Sequence, residues 1–401
     1  MPLLSARVGR TELAATFAMA ARARALRAAG ADVISLSLGE PDFPTPPHVI
    51  QAAFEAGLRG ETKYPPLAGT EALRDAVSDK YRREQKLDIP IQNILITNGG
   101  KQAIFNVLMA VIDQGDEVVI PSPAWAGYEQ AVNFAGGMAV FCACPQADGF
   151  VLQPAALEAA ITPRTRLLLL NYPNNPSGAA ITAAALEAIA AVLRRYPDIW
   201  VLSDDIYEHL LFDGFSYATL AAVAPDLAGR VVTMTGVSKT YAMTGWRVGF
   251  CAGPAEIIKA CTLVQATATS GVSSISQAAA LAAVTGPQDF LAVRARAYQA
   301  RRDLVVAALN QIPGVSCHRP EGAFYVFPDI SGCLGKTTAR GRALRDDADF
   351  AQALLEEALV AVVQGAAFAM SGHLRLSTAT SETTLEIACA RIATFCAGLT
   401  G

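Results

Sequence analysis

Charge is scarce in this sequence. Charged residues make up 17% of its 401 positions, and 32 Lys and Arg stand against 36 Asp and Glu, for a net charge of −4. That balance offers no basic face for a nucleic-acid backbone and no polybasic patch for an anionic membrane. Histidine is scarcer still. His48, His209, His318 and His373 stand alone, without His-x-His or His-Glu-x-x-His spacing, and no Cys-x-x-Cys pair exists, so no zinc site is expected. The eight cysteines are too scattered for a disulfide framework and are expected as buried free thiols. Cys142 and Cys144, two positions apart, would share one face of a strand. Also lacking is an apolar run fit to cross a bilayer: the longest uncharged stretch, Ala260 to Gln288, is broken by Gln265, Thr267, Ser270, Gly271 and Ser273 among others. Residues 1–12 contain Arg7 and no apolar core, unlike a secretory signal, and a soluble cytoplasmic protein is expected.

Hydrophobic residues, by contrast, reach 52%, enough for a large core, and the length fits two or three domains of roughly 100–200 residues. From residue 90, short β-rich runs alternate with helical ones. Ile94–Thr97 is followed by Asn98-Gly99-Gly100, and then Ile104, Val107, Leu108, Val111 and Ile112 recur at helical period. Strands are expected at Glu117–Ile120, Leu167–Leu170, Trp200–Ser203, Val231–Met234 and Val248–Cys251, with a helix around Ala183–Arg195. Apolar runs without period-2 alternation, joined by helices, predict a parallel sheet covered on both faces, hence an α/β domain over residues 47–288. The ends differ. A helix near Met19–Ala29 and an apolar run Val33–Leu38 precede it. A helix after Asp289, strand-like Phe324–Phe327, a helix over Phe350–Ala358 and strand-like Leu374–Ser377 follow. Residues 1–46 are too few for a core of their own and are expected to join 289–401 in a small α+β domain, with the active cleft between the two lobes.

Ligands of open parallel sheets bind at the carboxyl ends of the strands, so the polar turns there matter most. Asn98-Gly99-Gly100-Lys101-Gln102 leads from a strand into a helix, where free N–H groups and the helix dipole favour an anion. It is neither Gly-x-Gly-x-x-Gly nor a P-loop. Ser203-Asp204-Asp205-Ile206-Tyr207 ends another strand. In Thr235 to Gly249, Lys239 lies in an uncharged turn with Arg247 eight positions on. A solvated face does not account for that pair. A desolvated amine able to form a Schiff base, with an arginine held for a phosphate, does.

Several segments together resemble the fold-type-I, pyridoxal-phosphate-dependent class I aminotransferases, and most of all the bacterial aspartate aminotransferases. They are Gly39-Glu40-Pro41-Asp42-Phe43, Lys63-Tyr64, Gly99-Gly100-Lys101-Gln102, Trp125, Asn174-Asn175-Pro176-Ser177-Gly178, Asp204-x-x-Tyr207, Ser238-Lys239, Gly245-Trp246-Arg247-Val248-Gly249 and His373-Leu374-Arg375-Leu376-Ser377. The resemblance implies a large domain with a mostly parallel central sheet and pyridoxal 5'-phosphate as cofactor. By the same resemblance, Lys239 would carry the cofactor and shuttle the proton, Asp204 would keep its pyridine nitrogen protonated, and Asn175 and Tyr207 would bond its phenolic oxygen. Trp125 would stack on the ring. Gly100, Lys101, Gln102, Ser238, Arg247 and, from a second subunit, Tyr64 would surround the phosphate. Arg375 would grip the substrate α-carboxylate, helped by Gly39 and Asn175. One position departs from the family pattern Ser-x-Ser-Lys: Gly236 stands where the first serine, a usual phosphate ligand, is expected.

The resemblance further implies a homodimer with shared active sites and a ping-pong transamination, with aspartate and 2-oxoglutarate as the expected pair. Lys101, assisted by Thr16, would meet the distal carboxylate, whereas Glu12 would repel one. A broad or aromatic aminotransferase, prephenate included, and a β-eliminating carbon–sulfur lyase are the alternatives on this fold. From another class, the same domain occurs in cofactor-sensing transcription regulators. Those carry an added DNA-binding domain at the N-terminus, and here Gly39 is reached before one would fit.

Overall fold

The computed structural model describes residues 5–11 and 15–401, the side chains of Ala15 and Thr16 excepted. Glu12 and the Thr16 side chain therefore lie outside the described residues. Seven strands make one sheet whose order is Ile94–Thr97, Gly249–Ala252, Val231–Gly236, Trp200–Asp204, Thr165–Asn171, Glu117–Ser122, Met138–Ala143. All neighbours are parallel except Gly249–Ala252, which runs antiparallel to both of its partners. The sheet is thus mostly parallel, as the resemblance implies, with one reversed strand that the apolar runs alone do not reveal. The connection from Gly236 to Gly249 holds only the short turn Thr244–Trp246 and no crossover helix, so the chain returns the way it came.

The missing alternation in the strands has a direct cause: both faces are covered. Along Thr165–Asn171, Leu168 and Leu170 pack with Leu186, Ile189 and Leu193 of the Ala183–Leu193 helix. Leu167 and Leu169 face the opposite layer with Ile104, Val107 and Leu108 of the Gly100–Val111 helix. Each such side chain, removed from water, contributes about 1.5–3 kcal/mol. The Ala183–Leu193 helix starts where Thr182 accepts the Ala185 N–H at 3.2 Å. The uncharged stretch Ala260 to Gln288 falls mostly on the helices Ala255–Ala268 and Ser274–Thr285, and among the described residues no helix is long and apolar enough to cross a membrane.

Both chain ends enter a second core, in which Ile34 and Leu36 pack with Val326, Phe350, Leu354, Val360, Leu376 and Leu385. The expected run Val33–Leu38 shrinks to the strand Ile34–Ser35, parallel to Val360–Ala361. Phe324–Phe327 shrinks to Tyr325–Val326, which joins Leu374–Ser377 and Val363–Gln364 in a small antiparallel sheet. Beyond Ser35, Leu36 still donates to Ala361 O and accepts the Ser377 N–H, and then the carbonyls of Ser37 and Gly39 turn to the cleft, where they accept from Arg375 and Lys239. All eight cysteines are buried and unpaired.

Candidate active site

A cavity of about 460 Å³ opens where the carboxyl ends of the sheet meet the small sheet. The Ile94–Thr97 strand delivers Gly99 in a left-handed conformation (φ 77°) and then the first turn of the Gly100–Val111 helix. A Cβ on Gly99 would lie 2.5 Å from Arg247 Nη2, so only glycine lets the guanidinium reach this turn. Arg247 itself has φ 56° and is fixed by donation from Nη1 to Thr244 O (2.9 Å) and from Nη2 to Asn98 O (3.2 Å). Because the Gly249–Ala252 strand runs backwards, its start lies at the cleft and brings Arg247 there.

Strand alternation separates the two acids that end Trp200–Asp204. Asp204 faces the cavity, whereas the neighbouring Asp205 points away and is bonded by Ser203 Oγ (2.7 Å) and Thr219 Oγ1 (3.1 Å). Asp204 Oδ2 accepts the Tyr128 hydroxyl at 2.6 Å and Oδ1 accepts the Ile206 N–H at 3.2 Å. Burial pushes its carboxyl up to about 6, a rise that these bonds and the nearby Lys239 only partly offset. Lys239 Nζ donates to Gly39 O at 2.5 Å. Burial and then the positive Arg375 push its amine down to about 8, so neutral and charged forms coexist near physiological pH.

Arg375, 2% exposed, donates from Nη1 to Asn175 Oδ1 (3.1 Å) and from Nη2 to Ser37 O (2.5 Å). Its Nε is buried without a partner. Such an orphaned donor on a buried cation is costly unless something with negative charge arrives to accept it. The guanidinium is held between the Tyr325 and Phe368 rings, 4.8 and 4.9 Å from their centroids. Lys101 Nζ lies 5.4 Å from the Trp125 ring, itself edge-on to Tyr128.

The structure thus brings Gly39, Gly100, Lys101, Trp125, Asn175, Asp204, Tyr207, Ser238, Lys239, Arg247 and Arg375 to one cavity. Gln102 is not among them. Its Oε1 accepts the Asn98 N–H (2.6 Å), its Nε2 donates to Thr269 and its N–H is taken by Gly99 O, so it braces the turn from behind. Tyr64 stands apart from the cavity, 96% exposed. At Gly236 a Cβ would come within 2.9 Å of both Gly249 Cα and Val248 O, so a serine there requires the antiparallel strand to shift. The sequence reading overlooked Tyr128, Asn171 and Tyr325. Asn171 bonds Asp204 O through Nδ2 and the Asn175 N–H through Oδ1, both at 2.9 Å. Its place at the head of the turn Asn171–Gly178 was the available signal.

A lysine, an acid and two arginines line one cleft at the carboxyl ends of the α/β sheet, and residues 31–392 match the family Aminotransferase class I and II. The chain belongs to that family and is a transaminase. Over 399 residues, the whole of both chains, it is 50% identical to the aspartate/prephenate aminotransferase of Cereibacter sphaeroides. It is 52% identical over 376 residues, 94% of this chain and 92% of the other, to the aspartate aminotransferase of Rhizobium meliloti. Its structure matches the crystal structure of the aspartate aminotransferase from Rhizobium meliloti with a TM-score of 0.97 at 49% identity, covering all of both chains.

Proposed function

We propose that this enzyme moves an amino group between L-aspartate and 2-oxoglutarate, with pyridoxal 5'-phosphate as cofactor, in a cytoplasmic homodimer. The observation that carries the reading is the pair of cations facing one cavity: Lys239, desolvated to a poised amine, and Arg375, buried with an unpartnered Nε. The cofactor fits the residues present. The N–H groups of Gly100 and Lys101 at the start of the Gly100–Val111 helix, the Arg247 guanidinium and Ser238 form a cradle for a phosphate, and the missing side chain of Gly99 lets the guanidinium reach it. Asp204 supplies a buried anion for the pyridine nitrogen, Trp125 a flat face, and Tyr207 and Asn175 donors for the phenolic oxygen. When bound, pyridoxal phosphate supplies an electron sink and carries the amino group between half-reactions.

The protein's own residues do the rest. Arg375, steadied by Asn175 and Ser37, binds the α-carboxylate and fixes the orientation of the Cα–H bond. Lys239 Nζ takes that proton from Cα and returns it at the other end of the transfer, a role suited to an amine near pH 8. Asp204 is anionic above about 6 and holds a proton on the ring nitrogen. The division into residues 47–288 and residues 1–46 with 289–401 puts Lys239 and Arg375 on different domains, with the substrate between them. Phe17 and Leu38 add apolar side chains to the lining of the cavity, which favours prephenate as a second acceptor.

The distal carboxylate is assigned to Lys101, with Thr16 assisting. Lys101→Ala then removes a charge-assisted hydrogen bond of about 1.5–3 kcal/mol, or about 10- to 150-fold. The loss should fall on kcat/KM for aspartate and glutamate and largely spare phenylalanine and alanine. Half-reaction rates for each amino acid, followed by the cofactor spectrum, decide this, and an equal loss for all four substrates would sink the dicarboxylate reading.

Tyr64 reaches a partner's phosphate in this proposal, which accords with its exposure on the stiff segment Lys63-Tyr64-Pro65-Pro66. Mixing Tyr64→Phe chains with Lys239→Ala chains should give hybrids with one doubly lesioned site and one intact site. Activity no greater than that of the two parents would exclude a shared site.

A further inference from the structure

Tyr325 has no part in the reading above, yet it touches both halves of the site. It lies on the strand Tyr325–Val326, where Tyr325 is opposite Ser377 and Val326 opposite Leu376. The preceding residues are tied across the cleft: Ala323 N donates to Leu210 O at 2.8 Å and Gly322 N to Gly178 O at 2.9 Å. The side chain, 1% exposed, is thereby fixed from two sides. Its ring lies against the Arg375 guanidinium, 4.8 Å from centroid to Cζ, and its hydroxyl is 2.9 Å from that of Tyr207. A Cβ on Gly39 would fall 2.3 Å from Tyr325 Oη, so the strap that carries the Lys239 acceptor has been kept bare to admit this hydroxyl.

We propose that Tyr325 is a positioning residue that couples the grip on the substrate carboxylate to the cofactor's phenolic edge, its ring supporting Arg375 and its hydroxyl orienting Tyr207. This rests on the assignment of Arg375 to the carboxylate and of Tyr207 to the phenolic oxygen. The chemistry follows from counting protons. A tyrosine has one O–H to donate, and Tyr207 spends it on the cofactor. The Tyr207 oxygen must then accept, and Tyr325 is the donor within reach. A hydroxyl that accepts a hydrogen bond becomes a stronger donor itself, so Tyr325 strengthens the bond Tyr207 makes. The Arg375 charge over the ring feeds into the same chain: burial raises the Tyr325 phenol, and Arg375 holds it back. A carboxylate that neutralises Arg375 weakens Tyr325 as a donor, and this reaches the cofactor through Tyr207.

The test uses the wild-type enzyme and the variants Tyr325→Phe, Tyr325→Leu and Tyr207→Phe, with cofactor for the first readout and without it for the second. One readout is the pH midpoint of the cofactor's visible absorption. The other is the dissociation constant of succinate, an unreactive dicarboxylate, for cofactor-free protein by calorimetry. Tyr325→Phe keeps the ring and removes the donor, so the midpoint should rise by roughly 0.4–1 pH unit, one neutral hydrogen bond's worth. In that variant succinate binding should change less than about twofold, since the cation–ring contact remains. Tyr325→Leu removes the ring and should weaken succinate roughly 3- to 30-fold. In a Tyr207→Phe background, Tyr325→Phe should move the midpoint no further, because the relay is already cut. An unmoved midpoint in Tyr325→Phe, or the same shift in both backgrounds, would overturn the coupling. Failure of succinate to bind the wild-type protein, or a wild-type spectrum insensitive to pH, would overturn the underlying site assignment instead, and this proposal with it.

Discussion

Replacing Lys239 with alanine should abolish multiple turnover, lowering kcat by about 10⁴-fold or more, since the nucleophile and the proton carrier are lost together. The remaining cofactor contacts do not pass through Nζ, so the variant should still hold pyridoxal phosphate non-covalently. Borohydride reduction, which fixes the cofactor to the wild-type protein, should leave it dialysable in the variant; cofactor still fixed after reduction would mean that another amine does the work. A second readout is independent of turnover. The Lys239 amine sits near 8 in the folded chain and at its ordinary 10.5 unfolded. Between those values the unfolded chain binds more protons, so this group makes the stability of the cofactor-free protein rise with pH across the window. That part of the slope should vanish in Lys239→Ala, as measured by urea unfolding at several pH values from 8 to 10.5.

Asp204→Asn should be nearly as damaging to the reaction and should improve the fold. Without the buried anion the pyridine nitrogen loses the charge that keeps its proton, and kcat should drop by roughly 10²- to 10³-fold, the scale of removing one preorganised charge from a closed site. For stability the sign is the reverse. Burial raises the folded carboxyl to about 6 from 3.8, so the native chain binds more protons between those values and loses stability as pH rises through them. Above about 6 the full cost stands, about 3 kcal/mol from a shift near two units. Asparagine carries no charge, and its one oxygen still accepts the Tyr128 hydroxyl while the longer bond from the Ile206 N–H is given up, a loss smaller than the cost of the buried charge. Cofactor-free Asp204→Asn should therefore unfold at higher urea than wild type at pH 7, and the advantage should shrink towards zero as pH falls to about 4. A variant less stable than wild type at pH 7 would show that the carboxylate is better paired in the fold than its surroundings imply.

Most of the site was legible in the sequence because its residues lie at strand ends, where polar turns interrupt apolar runs. Lys239 and Arg247 were conspicuous as two charges in an otherwise neutral stretch. Asp204 ends a buried strand, whereas Asn175 and Arg375 were singled out by the family resemblance. What escaped was of two kinds. Tyr128 and Tyr325 sit among apolar residues and act through single hydroxyls, so nothing in their neighbourhood distinguishes them from core aromatics. Gln102 erred the other way. It belongs to a turn of the right composition, but the Asn98 N–H and Thr269 claim its side chain, and sequence does not reveal which way a glutamine points. The reversed strand Gly249–Ala252 escaped because a strand buried on both faces reads alike in either direction. Only the lack of a helix between Gly236 and Gly249 betrayed it.

That reversal also bears on the order in which the chain acquires its parts. Gly236 and Gly249 pair directly, so the loop that carries Lys239 and Arg247 closes within a local hairpin at small entropic cost. The grip on the α-carboxylate is different in kind, because Arg375 meets Asn175 across 200 residues of chain. Contacts of such separation come late in folding. During refolding, the Lys239 and Arg247 loop should therefore gain protection from hydrogen exchange before succinate binding returns, and a chain halted between the two would hold the hairpin but not yet the phosphate cradle, which needs Arg247 to meet Asn98 across 149 residues.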